Sequence, residues 1–273
     1  MKGWFNILKA DTHVHTSFSP DSLSPMIEYT KLVDRRIVEE IGFAEHVDFL
    51  PECGAYGFFD YKSYIYDITH FNEIGYKFHA GAEIDYASSI ENEILEHLKV
   101  HHYEYTIASV HMLNGFSISD GRNIDKLREP EILKDIAEKY YKEVAKSLKV
   151  REFNVIAHID IYARSLDATF FTNEATMKFI VEMQKDLAYE CYKSGKIIEV
   201  NTSGVFAPYG QTLPGTDFLK MYYAAGGRKI SIGSDAHCAS HVLRGFEEVA
   251  QMLKMIGFDK YYLPWKPEES LEL

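Results

Sequence analysis

The chain has 273 residues, 46% of them hydrophobic and 26% charged, a balance that excludes a mainly disordered polymer and allows a sizeable core. At about 150 residues per domain this length suggests one or two domains, and single α/β barrels commonly run to about 250 residues, so one domain over the whole chain is expected. The 29 basic and 41 acidic residues give a formal charge of −12, which argues against a general nucleic-acid or anionic-membrane binder but allows a phosphorylated substrate where metal ions supply local positive charge.

In chain order, the opening MKGWFNILKADTHVH has no apolar core and no small-residue cleavage site, so no signal peptide is expected. Seven short apolar or β-branched runs follow one another: Phe5–His13, Glu40–His46, Lys77–Asp85, Tyr105–His111, Asn154–His158, Lys196–Asn201 and Lys229–Asp235. Their length and flanks predict strands. Between them, Ser24–Glu39 opens on Ser then Pro, an N-cap followed by Pro at the first helical position. Pro130–Val150, Asn173–Ser194 and His241–Ile256 carry apolar residues at helical spacing, and Gly195 closes the second of these as a C-terminal stop. Residues 61–75 and 89–99 are weaker helical candidates. No apolar run reaches the roughly 18 residues of a membrane span. Cys53, Cys191 and Cys238 are odd in number and far apart, which fits a reducing, cytoplasmic setting better than a disulfide scaffold.

Strand and helix therefore alternate along the chain, the pattern of βαβ units on a parallel sheet. Seven units predict a seven-stranded relative of the TIM barrel, with an open doubly wound sheet as the alternative. In both, the site lies at the C-terminal ends of the strands.

The strand ends read ADTHVH, AEHVD, GAEID, SVHML, AHID, EVNTS and GSDAH, and all but EVNTS carry His, Asp or Glu within their last three residues. Of the 12 histidines, His13, His15, His46, His111, His158 and His237 sit there. Residues i and i+2 of a strand share a face, so His13 and His15 project together, as do Asp235 and His237 if the strand extends that far. Neutral imidazoles with carboxylates suit divalent transition metals, and this many donors exceed one tetrahedral ion. Glu83 is the natural bridge between two ions. His70, His79, His97, His101 and His102 read as surface or packing residues, and His241 as a candidate neighbour of the cluster.

The motifs DTHVHTSFSPDS, FAEHVDF, GAEID, SVH, AHID, NTSG and GSDAH, in order from residue 11 to residue 241, resemble those of the PHP (polymerase and histidinol phosphatase) family, and most closely its stand-alone histidinol-phosphatase branch. The resemblance implies a distorted (β/α)7 barrel with three divalent ions, zinc, manganese or iron. It implies His13, His15, Glu83 and Asp235 around the first, Glu83, His111 and His158 around the second, and Asp21, His46 and His237 around the third. It also implies in-line attack by a metal-bridging hydroxide on a small phosphate monoester, L-histidinol phosphate being the first candidate. Asp235 and His237 are then the nearest groups to protonate the leaving oxygen, with Glu83 the third catalytic residue.

Arg164, in the loop after the fifth strand, stands where relatives hold phosphate with an arginine. The family's second arginine, after the NTSG motif, is absent: NTSGVFAPYG has Phe206. Residues 51–66 and 113–129 are expected to shape the pocket, with Tyr56, Phe58 and Phe59 as candidates to stack on an imidazole. Other readings are a phosphodiesterase or exonuclease acting on nucleotides or short oligonucleotides, an amidohydrolase, and a non-catalytic scaffold. Against the amidohydrolase, the fourth strand ends in His111 where a carboxylated Lys or a Glu is usual. Against the scaffold, every ligand position is filled. The sequence leaves the oligomeric state open.

Overall fold

The computed structural model describes residues 10–113, 115–119 and 121–273. The first predicted strand thus lies outside the described residues over 5–9. Seven strands form one parallel sheet: β1 (Ala10–Val14), β2 (Glu40–Val47), β3 (Phe78–Asp85), β4 (Tyr105–Ser109), then, after a small antiparallel hairpin of β5 (Met112–Leu113) and β6 (Phe116–Ser117), β7 (Val155–Ile156), β8 (Ile197–Asn201) and β9 (Ile230–Gly233). Their order is β1-β2-β3-β4-β7-β8-β9. The sheet nearly closes just above β9, where Asp235 N donates to His13 O at 2.8 Å and His15 N to Ala236 O at 2.9 Å. The predicted seven-stranded TIM-like barrel is therefore the fold, and the open sheet is not.

The barrel strands are buried on both faces, as parallel strands covered by helices must be. Their inward residues explain the vertical division of the barrel. On β2 these read Gly42, Ala44, His46, and on β3 Gly81, Glu83, Asp85. The lower positions are small because Tyr105 fills the barrel floor, donating from its hydroxyl to Thr12 O across the interior at 3.0 Å. A Cβ at Gly81 would stand 2.3 Å from the Tyr105 ring. Above this apolar plug, the same inward positions carry ionisable groups.

The helices are α1 (Ile27–Asp34), α2 (Tyr61–Glu73), α3 (Glu91–Val100), α4 (Pro130–Ser147), α5 (Glu174–Ser194), α6 (Thr216–Ala224) and α7 (Phe246–Ile256). α5 follows the expected plan, capped by the Asn173 side chain on Thr176 N and stopped by Gly195 at φ 70°. α1 starts two residues after the predicted first position, because Ser24 does not cap it; the Ser24 hydroxyl instead accepts from Ala239 N at 3.4 Å. α7 starts at Phe246, since Leu243 and Gly245 have left-handed backbones, φ 59° and 79°. α6 is a helix that the sequence pattern did not reveal. A C-terminal hairpin, β10 (Lys260–Leu263) with β11 (Lys266–Glu272), brings Trp265 onto β2 and β3, stacked on His79 at 4.1 Å. Among the described residues no helix is long and apolar enough to cross a membrane.

Candidate metal centre and active site

All nine predicted ligands converge at the C-terminal mouth of the barrel. Strand alternation alone places His13, His15, His46 and Glu83 there. His158 is different. Val155 and Ala157 face the barrel interior with Tyr105 and Ile107, while Ile156 faces the helices. Strict alternation would send His158 outward with Ile156. Its backbone instead turns at φ 21°, and the ring swings in to Glu83. Asp235 is turned in the same way at φ 54°. Left-handed backbone at non-glycine residues is costly, and such residues gather at functional sites.

The donor atoms form one continuous cluster in which the three predicted sets adjoin, with His46 Nδ1 3.0 Å from Glu83 Oε2 across them. In the first, His13 Nε2 and His15 Nε2 are 3.0 Å apart. Glu83 Oε2 lies 3.4 and 3.5 Å from them, and Asp235 Oδ1 3.2 Å from His15. In the second, Glu83 Oε1 lies 2.7 Å from His158 Nε2 and 3.4 Å from His111 Nε2. In the third, Asp21 Oδ2 lies 3.1 Å from His237 Nε2 and 3.5 Å from His46 Nε2. Metal–ligand distances near 2.0–2.1 Å in a tetrahedron put donors about 3.4 Å apart, which these separations resemble. The two oxygens of Glu83 point into different groups. Glu83 Oε2 is buried without a hydrogen-bond partner, a state that a cation relieves. The arrangement is that of a divalent-metal centre.

The charges fit this. Burial opposes ionisation of Glu83, yet the facing His13, His46 and His111 hold its carboxyl well below the usual range. Burial likewise opposes charge on Asp235, but hydrogen bonding from His15 and the charge of His13 and His237 keep it a carboxylate. Burial pushes His15 down to about 3, with His237 and His46 adding to the effect, and His111 down to about 3 by burial first. Both rings present neutral nitrogen.

Supporting groups fix the rings. His13 Nδ1 lies 2.5 Å from Glu199 Oε1, which fixes the ring with Nε2 turned into the first group. His15 Nδ1 meets Ser19 Oγ at 3.1 Å, and that hydroxyl donates to Glu45 at 2.6 Å. Asp11 ties the barrel seam by accepting from Ser234 N and Leu243 N, each at 2.9 Å. Asp85 accepts from His111 N at 2.7 Å. None of these four carboxylates was singled out as a support in the sequence, although Asp11, Glu45 and Asp85 lie inside the ligand motifs.

Above the centre lies a cavity of about 340 Å³. Arg164 lines it, 3.5 Å from Asp235 Oδ2 and donating to Ser119 O at 2.9 Å. The two expected loops do border it, through Cys53, Gly54 and Ala55 and through Ser117, Ser119 and Arg122. The predicted stacking residues do not. Tyr56 and Phe58 are half exposed, and Phe59 packs on Tyr64 and Tyr103, because the turn at Gly57 carries these rings to the rim. Asp48 and Arg122 line the cavity and were missed. His241 is exposed on a 3-10 turn. Phe206 lies under the Arg244 guanidinium, 3.7 Å from its ring centre.

Residues 11–203 match the PHP domain family. A relative from Thermotoga maritima, named "Probable histidinol-phosphatase", is 27% identical over 91% of this chain and 93% of its own. A protein of the same name from Clostridium acetobutylicum is 27% identical over 92% of this chain and 96% of its own. Among solved structures, histidinol phosphate phosphatase from Lactococcus lactis, complexed with zinc, L-histidinol and phosphate, superposes with a TM-score of 0.80 at 21% identity, covering 96% of this chain and 99% of that one.

Proposed function

The chain belongs to the PHP domain family, and on that premise we propose that it is a metal-dependent phosphomonoesterase converting L-histidinol phosphate to L-histidinol and inorganic phosphate. The observation that carries this reading is the meeting, in one cavity, of three imidazole–carboxylate groups and a guanidinium. The names of the full-length relatives support the substrate.

The residues fit three ions. His13, His15, Glu83 and Asp235 would hold one, Glu83, His111 and His158 the second, and Asp21, His46 and His237 the third, with zinc, manganese and iron all suited to such donors. When bound, these ions supply Lewis-acid charge against a phosphoryl group and make water acidic near neutral pH. Arg164 offers charge-assisted hydrogen bonds to the phosphoryl oxygens. Asp235 turns Oδ1 to His15 and Oδ2 to the cavity wall, where Ser203 Oγ lies at 3.4 Å. Ionised as it is, Oδ2 takes the proton of the attacking water and returns it to the leaving oxygen as the P–O ester bond breaks. His237 Nδ1 donates to Asp235 O at 2.9 Å, which keeps Nε2 facing Asp21.

We read the chain as one barrel domain in a reducing, cytoplasmic setting. Trp265 bonding to Glu40 at 3.2 Å supports the first, and three free cysteines the second. The test is phosphate release by zinc- or manganese-loaded protein from histidinol phosphate, sugar phosphates, nucleotides and a diester. Histidinol phosphate should give the highest kcat/KM; preference for the diester overturns the reading.

A further inference from the structure

Asp160 is a fully buried acid two residues beyond the ligand His158, with no part in the metal groups or the phosphate contact. Its backbone is left-handed, φ 73°, and its side chain points back to the helices. There Tyr141, on α4, donates to Oδ1 at 2.6 Å, and Gln184, on α5, donates to Oδ2 at 2.9 Å. Gly215 N–H, just before α6, also bonds to the carboxyl. One side chain is thus tied to two helices and to the start of a third. Burying a carboxyl group is unfavourable unless its oxygens find donors. Here donors meet both oxygens, so the group is held rigidly.

What this anchor holds is the turn that carries Arg164. Asp160 O accepts from Ala163 N at 2.8 Å and Ile161 O from Arg164 N at 3.0 Å, so a 3-10 turn, Ile161–Ala163, runs directly from Asp160 to the arginine. Tyr162, inside that turn, lies 3.0 Å from the Tyr141 hydroxyl. A tyrosine hydroxyl has one hydrogen. Tyr141 gives its hydrogen to Asp160, so Tyr162 is the donor to Tyr141. One hydroxyl on α4 therefore clamps both the start and the middle of the turn. At the far end Arg164 O accepts from Tyr209 N at 3.3 Å. From this frame the Arg164 side chain reaches over the cavity, to Ser119 O at 2.9 Å and Asp235 Oδ2 at 3.5 Å. An arginine loses conformational freedom when it grips an anion, and a fixed root reduces that loss.

We propose that Asp160 is a positioning residue: with Tyr141 as its partner, it fixes the turn at the root of Arg164, so that the guanidinium meets a phosphoryl group already in place. Asp160 itself touches neither substrate nor metal. The inference rests on the phosphomonoesterase reading above and adds to it the buried support behind the phosphate contact.

The test measures binding of inorganic phosphate to the zinc-loaded protein by calorimetry, at matched metal content. The variants are Asp160→Ala and Tyr141→Phe, each alone and each combined with Arg164→Ala. With Arg164 present, Asp160→Ala should weaken phosphate binding about tenfold. Tyr141→Phe leaves the ligand loop untouched and covers a folding failure of the first variant; it should weaken binding about threefold or more. With Arg164→Ala, either change should alter affinity by less than about twofold, since the group it positions is gone. Asp160→Asn suits the left-handed backbone and keeps an acceptor for Tyr141, so it should recover most of the affinity. A loss of the same size in both backgrounds is a general structural effect and overturns the proposal. So does unchanged binding with Arg164 present, or an Asn variant no better than the Ala variant. No ester is hydrolysed in this experiment. A protein that shows the coupled binding but releases no phosphate from L-histidinol phosphate therefore supports the positioning role and removes only the substrate reading.

Discussion

His13 Nδ1 lies 2.5 Å from Glu199 Oε1, and both side chains are fully buried. The second oxygen of Glu199 accepts from His158 N at 2.8 Å. One carboxylate thus fixes the ring of a first-group ligand and the backbone of a second-group ligand. Glu199→Gln keeps the shape but turns a strong acceptor into a weaker one. Metal affinity should fall about 10- to 100-fold, as is usual when a ligand's supporting carboxylate is lost. Competition with a chelator measures it, and an affinity within twofold of the wild type contradicts the assignment.

Glu83 makes a sharper case. Its two oxygens enter two groups, so Glu83→Ala leaves both short of a ligand. Metal analysis after reconstitution should show a loss of two ions per chain rather than one, with turnover abolished. Full metal content with near-normal kcat would remove the bridging role.

Arg164 is half-buried beside Asp235, where a phosphate would meet it. Arg164→Ala should lower kcat/KM for the best monoester about 10- to 150-fold, the equivalent of about 1.5–3 kcal/mol. Arg164→Lys should recover only part, since a point charge cannot reproduce the planar fork. Unchanged kinetics in the Ala variant would make Arg164 a structural residue.

A fourth prediction concerns the opposite end of the barrel. His79 binds Glu104 at 2.8 Å and Glu40 at 3.1 Å while stacked on Trp265. Burial works against its charge, but these two carboxylates raise its pKa above the ordinary value. A raised histidine pKa stabilises fully below the unfolded value, near pH 6.5, and that stabilisation is lost as pH rises through the folded value. The melting temperature of wild type minus that of His79→Gln should therefore be largest near pH 6, by about 2 °C or more, and shrink toward pH 9. A difference independent of pH would leave only stacking and neutral hydrogen bonds.

The legibility of the molecule follows strand periodicity. His13, His15, His46 and Glu83 could be read because i and i+2 share a face, and the seven runs between amphipathic stretches gave the barrel. His158 was singled out as the last residue of its predicted strand, and alternation alone, which its turned backbone breaks, would have faced it outward. Glu199 was passed over because EVNTS shows no ligand at its end, although its Glu faces the same interior two residues below Asn201. Asp48 was passed over although it closes the AEHVD strand end, two residues after His46. α6, nine residues of TDFLKMYYA, is too short for a clear helical period. The terminal hairpin escaped because β11 is largely exposed and polar, and only Trp265, in the turn before it, carries its packing signal.

The most direct test of the central claim is phosphate release from L-histidinol phosphate as zinc or manganese is added back stepwise to metal-stripped protein. Release should rise to a plateau that breaks near three ions per chain, with the bound metal measured in the same samples. A plateau at one ion per chain, or no release at any metal content, would contradict a three-ion phosphomonoesterase centre.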